Sequence, residues 1–271
     1  PVPNERAAAL VDDPRLPVVS FTGSGPVGWA IREQAPRKHV TLELGGNAAA
    51  VVCADADLDH AAARVGLFAN YQAGQSCIAV QRVLVERAVY EEFVPRLIET
   101  VEGLVTGDPW QETTQVGPLI SEEAAQRVQD WVERAVRGGA KVLAGGVRDG
   151  ATFAPTVLAE VPDAAEVWCE EVFGPVLALR PFDTLEEAFA LVNASRYGLQ
   201  AGVFTRSLQV AFRANRELEV GGVIIGDVPS YRADQMPYGG VKESGVGREG
   251  LRSAMEDLTY EKVLVLTGLD L

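Results

Sequence analysis

Two short stretches of the chain hold side chains that can do chemistry. The first is Gly74, Gln75, Ser76 and Cys77. A helical pattern over 58–71 precedes it and a strand-like run over 81–85 follows, so the thiol belongs to a tight turn. Turn amides can face a thiolate or a developing oxyanion, the setting of a nucleophilic cysteine. A single cysteine is as readily a small buried packing residue, and the turn alone leaves both readings open. The other two cysteines read as packing: Cys53 in a continuous apolar strand, Cys169 beside Trp168. The second stretch is Gly23, Gly25 and Gly28, a GxGxxG spacing between a strand and a helix, with Glu43 20 residues past Gly23 at a strand end. Free amides at that helix start, with Ser24, suit a pyrophosphate. Taken alone, the fingerprint assigns Glu43 to an adenosine ribose.

Other chemistries are poorly served. His39 and His60 are the only histidines, which argues against a zinc site and against Ser/His/Asp or Cys/His catalysis, and both are expected at the surface. Asp55, Asp57 and Asp59 suggest calcium, but the glycine and distal glutamate of a calcium loop are missing, so Asp57 is expected to cap a helix instead. No metal site is expected. With 24 Lys+Arg against 38 Asp+Glu the net charge is −14, and no basic block tracks a phosphate backbone, so neither nucleic acid nor an anionic membrane is an expected partner. The longest apolar runs fall far short of the ~20 residues that span a bilayer. Three cysteines without a CxxC pair leave no complete disulfide framework, which fits a reducing, cytoplasmic compartment. The chain begins at Pro1 and runs straight into a helix-like stretch, as if cut from something longer, so a targeting signal cannot be judged.

The elements that must hold these residues alternate strand and helix from end to end, an α/β pattern. Strands are expected at 16–21, 40–44, 49–53, 81–85, 141–143, 201–204 and 222–225, and a last one at 262–267 with no hairpin partner nearby. Helices are expected at 27–34, 58–71, 90–104, 122–137, 185–193 and 208–218. Ser121 suits the cap of the fourth, and Thr184 with Glu187 forms a capping box for the fifth.

The ordered segments then resemble the aldehyde dehydrogenase superfamily along essentially the whole chain. They are FTGS at 21–24, ELGG at 43–46, GQSC at 74–77, GPLI at 117–120, PTVL at 155–158, EEVFGPV at 170–176, YGL at 197–199 and PYGGVKESGVGREG at 237–250. The resemblance implies oxidation of a small aldehyde to an acid with NAD or NADP. Cys77 becomes the nucleophile, forming a thiohemiacetal and then a thioester, and Glu43 the base that activates the hydrolysing water. That moves Glu43 from the ribose to the water, a role for which desolvation at a strand end would raise its pKa usefully. Cofactor contacts carry over to Gly23, Ser24, Gly28, Leu44, Gly45, Glu171 and Phe173. The aldehyde pocket carries over to Ser76, Ile78, Tyr231, Arg232 and Tyr238; Arg232 either meets an anionic substrate or faces solvent.

The implied architecture is a remnant of the NAD-binding sheet over 1–44, a catalytic domain over 45–245, and an arm over 246–271 whose final strand joins a neighbour's sheet in a homodimer or homotetramer. Family members run to nearly twice this length. The half not represented carries a ribose-reading lysine and an oxyanion-hole asparagine, so the chain alone is expected to bind NAD weakly. Gly226 stands where many members have asparagine, and Asn47 where lysine is usual, a variant of the lactaldehyde-like and phosphonoacetaldehyde-like branches. Two alternatives remain: a branch passing the acyl group to coenzyme A, which usually lacks the ELGG glutamate, and a non-catalytic folding or oligomerisation module.

Overall fold

In the computed structural model, residues 4–270 are described. The chain opens with α1 (Asn4–Asp12), β1 (Val18–Thr22), α2 (Gly25–Gln34) and β2 (His39–Glu43). β1 and β2 pair in parallel, in register from Val18 opposite His39 to Thr22 opposite Glu43. α2 closes over them so tightly that a Cβ on Gly28 would meet Leu44 Cδ2 at 2.3 Å, which is why a glycine stands there. Ala35, Val40, Leu42 and Leu44 form a small core of their own.

A larger sheet begins at β3 (Ala48–Val52) and continues through α3 (Leu58–Asn70), β4 (Val80–Glu86), α4 (Arg87–Glu102), α5 (Glu122–Arg137) and β5 (Lys141–Ala144). A short hairpin of β6 (Arg148–Asp149) and β7 (Thr152–Phe153) leads to β8 (Thr156–Ala159), α6 (Glu166–Cys169), β9 (Val176–Phe182) and α7 (Leu185–Asn193). After β10 (Tyr197–Gly198) come β11 (Gln200–Phe204), α8 (Leu208–Glu217) and β12 (Gly222–Ile225). The seven-stranded order is β12-β11-β3-β4-β9-β8-β5, parallel except for β5 at its edge.

Alternate residues along the central strands feed opposite faces. Val51, Leu84, Ala178 and Val203 pack under α5, α6, α7 and α8. Val52, Val83, Val85 and Leu179 pack under α3 and α4, against Val65, Phe93 and Leu97. Strands covered on both faces read as unbroken apolar runs, as the all-buried Ala48–Val52 does. The expected caps form: Asp57 accepts from His60 N, Ser121 from Ala124 N, and Thr184 from Glu187 N.

The chain ends with β13 (Val241–Lys242), β14 (Gly245–Val246) and α9 (Leu251–Asp257). β14 returns to the first sheet and pairs antiparallel with β2, Gly245 opposite Glu43. The expected strand at 262–267 does not form: these residues have no ladder, and Val263 is 83% exposed. A strand needs a partner for its N–H and C=O groups, and none of this chain's edges supplies one there. α6, α9 and the strands β6 to β10, β13 and β14 are not among the expected elements; β8 overlaps the 155–158 motif, while β9 starts at the end of the 170–176 motif and runs on to Phe182. His39 and His60 are exposed, as expected. Among the described residues, no helix is long and apolar enough to cross a membrane, and no cluster of three or more His, Cys, Asp or Glu side chains is placed to hold a metal ion.

Candidate active site

The carboxyl ends of β1 and β2 face the amino ends of β3, β4 and β9. Gly23 and Glu43 close the first pair, while Gly45 and Gly46 lead into β3, Cys77 into β4, and Glu171 and Phe173 into β9. Because β3, β4 and β9 are neighbours, their three leading loops converge on one cleft of about 630 Å³. It is lined by Gly23, Ser24, Glu43, Leu44, Gly45, Ser76, Cys77, Glu171 and Phe173, with Thr22, Gln72, Gln75 and Arg127. Segments remote in sequence are thus brought to one place.

Cys77 sits at the tip of a strained turn. Gln72, Ala73 and Gly74 all take positive φ, at 51°, 54° and 70°. Such backbone costs of order 1–3 kcal/mol per non-glycine residue and persists only where the surroundings enforce it. Here they do. A Cβ on Gly74 would lie 2.1 Å from the Gly174 carbonyl oxygen, and Gln75 Oε1 accepts the Ile120 N–H at 2.8 Å, fixing the loop to the 117–120 segment. The Tyr71 hydroxyl donates to Ser76 Oγ at 2.5 Å. The thiol is half-buried, and burial raises its pKa while a 3.1 Å hydrogen bond with the Tyr238 hydroxyl opposes the rise. Cys53, by contrast, lies in the core with its pKa pushed up to about 12 by burial.

Glu43 is 5% exposed, and neither carboxylate oxygen has a hydrogen-bond partner. An ion so placed loses its hydration without compensation. Burial first, and then repulsion from Glu249, push its pKa up to about 8 against the pull of Arg232 and Arg248. Glu171 is raised to about 7, again by burial, although it accepts the Gly46 N–H at 2.8 Å and faces Arg127. Phe173 sits beside it with φ 47°, its ring 41% exposed in the cleft.

Ser24 caps the ten-residue α2 but makes no side-chain cap hydrogen bond, leaving its hydroxyl and the first-turn amides free at the cleft wall. Gly28 is not among the residues lining the cleft and lets α2 approach Leu44, the packing that the third glycine of such a turn serves. Tyr231 also lies off the cleft lining, its side chain 48% exposed while its carbonyl accepts from Gln200 Nε2. Ile78 is buried with Leu199, Tyr238 and Cys77. Arg232 bonds Glu249 at 2.6 Å and stacks 4.1 Å from the Tyr238 ring centroid.

Three further residues hold this arrangement, and only Ser244 falls within one of the motif segments. Gln81 is buried in β4, donating to the Val167 and Glu170 carbonyls and accepting the Val172 N–H, which anchors the loop bearing Glu171. Arg82 beside it donates to the Asn47, Leu191 and Val192 carbonyls. Ser244 joins Gly45 O to Gly198 N. Polar residues inside a strand that otherwise reads as apolar are the sequence's only hint of the first two.

A doubly wound sheet whose leading loops present a thiol and two desolvated carboxylates beside a glycine-rich strand-to-helix turn is the layout of covalent catalysis next to a dinucleotide site. The chain belongs to the aldehyde dehydrogenase family, whose model matches residues 2–264. It is 48% identical over 257 residues to a 3-sulfolactaldehyde dehydrogenase of Priestia aryabhattai, covering 95% of this chain and 54% of that protein. Its structure is similar to that of an aldehyde dehydrogenase from Physcomitrella patens in complex with the reaction product succinate, with a TM-score of 0.96 and 45% identity, over 98% of this chain and 56% of that one. It is also similar to a glyceraldehyde-3-phosphate dehydrogenase from Methanocaldococcus jannaschii complexed with NADP, with a TM-score of 0.90 and 38% identity, over 93% and 55% of the two chains. The chain spans about half the length of the curated relatives it matches.

Proposed function

We propose that this chain supplies the nucleophile and the hydrolytic base for NAD- or NADP-dependent oxidation of a small aldehyde to a carboxylic acid. The observation that carries the reading is the shared cleft of Cys77 and Glu43, the latter a buried carboxylate with no partner. The Cys77 thiolate adds to the aldehyde carbonyl and forms a thiohemiacetal. The chemistry that the dinucleotide supplies when bound is acceptance of hydride, by which the Cys77 adduct becomes a thioester. Glu43 takes a proton from a water that attacks the thioester carbonyl; the acid leaves and the thiol is restored. A carboxylate with a pKa of about 8 is matched to that transfer near neutral pH. It also speaks against transfer of the acyl group to coenzyme A, which needs no such base.

The residues present fit the dinucleotide. Ser24 and the free amides of α2 suit a phosphate. At Gly45 a Cβ would meet Glu171 Oε2 at 2.3 Å, so the glycine lets that carboxylate lie against the backbone, and Leu44, Gly45 and Phe173 line the wall that would hold a flat ring. Glu171 is suited to accept from a ribose hydroxyl.

The substrate we propose is a short aldehyde with an anionic tail. Three of the similar proteins carry anions in their descriptions, 3-sulfolactaldehyde, a succinate product and glyceraldehyde-3-phosphate, while others are named for the neutral lactaldehyde. Arg232, stacked on the Tyr238 ring that reaches Cys77, is the cation we propose for such a tail, although Arg127 also lines the cleft and Arg232 is paired with Glu249. Residues 1–44 we assign to the cofactor-binding part, 45–245 to the catalytic part, and 262–267 to a pairing edge between copies of a homo-oligomer.

Steady-state reduction of NAD or NADP tests the substrate class. A short aldehyde ending in carboxylate or sulfonate should exceed a neutral aldehyde of equal length by about tenfold or more in kcat/KM, as expected for one charge-assisted contact. Arg232→Met should remove that preference. Equal rates with both aldehydes would contradict it.

A further inference from the structure

The Cys77 sulfur has one side-chain hydrogen-bond partner among the described residues, the Tyr238 hydroxyl at 3.1 Å. Tyr238 is 4% exposed and wedged between Ile78 and Leu199, with the Arg232 guanidinium 4.1 Å from its ring centroid. Arg232 is in turn held by Glu249, and the Tyr238 N–H and carbonyl pair with the Glu249 backbone. The phenol is therefore fixed by apolar packing, by a cation stacked on its ring and by main-chain pairing. Once Cys77 has lost its proton, a sulfur anion can only accept, so the phenol is the donor. The remaining charged groups facing the thiol are Glu43 at the end of β2 and Glu171 before β9, both of which disfavour the thiolate, with Arg127 of α5 on the far wall. The Cys77 backbone N–H also favours the thiolate, and the Tyr238 hydroxyl is the side chain that does so.

We propose that Tyr238 is a positioning residue for the nucleophile, its hydroxyl donating to the Cys77 thiolate and holding the sulfur towards the cleft. The proposal rests on reading Cys77 as the nucleophile. Phenylalanine at this position keeps the packing and the Arg232 stack but has nothing to give the sulfur. Burial holds the phenol's own pKa well above its ordinary value, so its proton stays on oxygen throughout the working range.

Alkylation by iodoacetamide, followed against pH and quantified on the Cys77 peptide by mass spectrometry, tests the proposal without turnover. Tyr238→Phe should move the Cys77 titration midpoint up by about one pH unit and slow alkylation at pH 7.5 by about tenfold, the range of one hydrogen bond to a charged group. Melting should be little changed. Site-specific 3-fluorotyrosine at position 238, a stronger donor of the same shape, should move the midpoint down; a role in packing alone would not move it. Coincident titration curves for the three proteins overturn the proposal while Cys77 remains the nucleophile. Alkylation no faster at Cys77 than at Cys53 overturns the nucleophile reading, and the proposal with it.

Discussion

A Cβ built on Gly46 would lie 2.1 Å from the carbonyl oxygen of Cys77, while the Gly46 N–H donates to Glu171. One residue ahead of β3 thus touches both the loop bearing the thiol and the loop bearing the second carboxylate. The two loops cannot separate without breaking their common contact.

Gly46→Ala should therefore disturb site and fold together. Overpacking against main chain cannot be relieved by a rotamer change, so a loss of about 1–3 kcal/mol is expected. Urea unfolding with parallel alkylation of Cys77 checks this: both should fall, and a variant with unchanged stability and reactivity would mean the contact is not enforced.

The raised carboxyls predict a pH dependence of stability. In the folded protein Glu43 holds its proton to about pH 8 and Glu171 to about pH 7, whereas in the unfolded chain both release it near 4.5. The unfolded state therefore binds fewer protons across that interval, so stability falls as pH rises from about 4.5 to 8. Glu43→Gln should remove much of the fall, leaving a variant more stable than the parent above pH 8 by on the order of a few kcal/mol. Unfolding midpoints at pH 5 and 8.5 give the comparison; an equal fall in both proteins would count against the buried, unpartnered carboxylate.

The arm at 262–267 leaves Val263, Leu264, Val265 and Leu266 exposed by 59–83%. A run of this kind with unpaired backbone suits the pairing edge proposed above. Leu264→Glu should weaken self-association in sedimentation while leaving Cys77 alkylation intact. An unchanged sedimentation profile would remove the arm from the interface.

Much of this was legible beforehand because local chemistry and tertiary role coincided. Asp57, Ser121 and Thr184 cap helices through their own side chains, so sequence suffices to find them. Cys77 and Glu43 were another matter. Their immediate surroundings left packing against nucleophile and ribose against water undecided; the order of family segments chose, and convergence of three strand-leading loops then gave the choice a geometry. The glycine spacing alone does not separate contact with a phosphate from close approach of a helix, and at Gly28 the structure shows the approach of α2 to Leu44. Gln81 and Arg82 could not be recognised, since their partners are main-chain carbonyls remote in sequence. Composition suggests a strand at 262–267, but a strand is a relation between two segments, and no partner segment is present among the described residues.

The central claim, that Cys77 is acylated and Glu43 releases it, is tested most directly with an activated ester, which needs no cofactor. With a nitrophenyl ester, the parent should give a burst of nitrophenolate and then slow turnover. Glu43→Gln should keep the burst, lose the turnover by about 10²–10⁴-fold, and accumulate one acyl group on the Cys77 peptide by mass spectrometry. An acyl group on Cys53 or Cys169, or undiminished turnover in Glu43→Gln, would contradict the account.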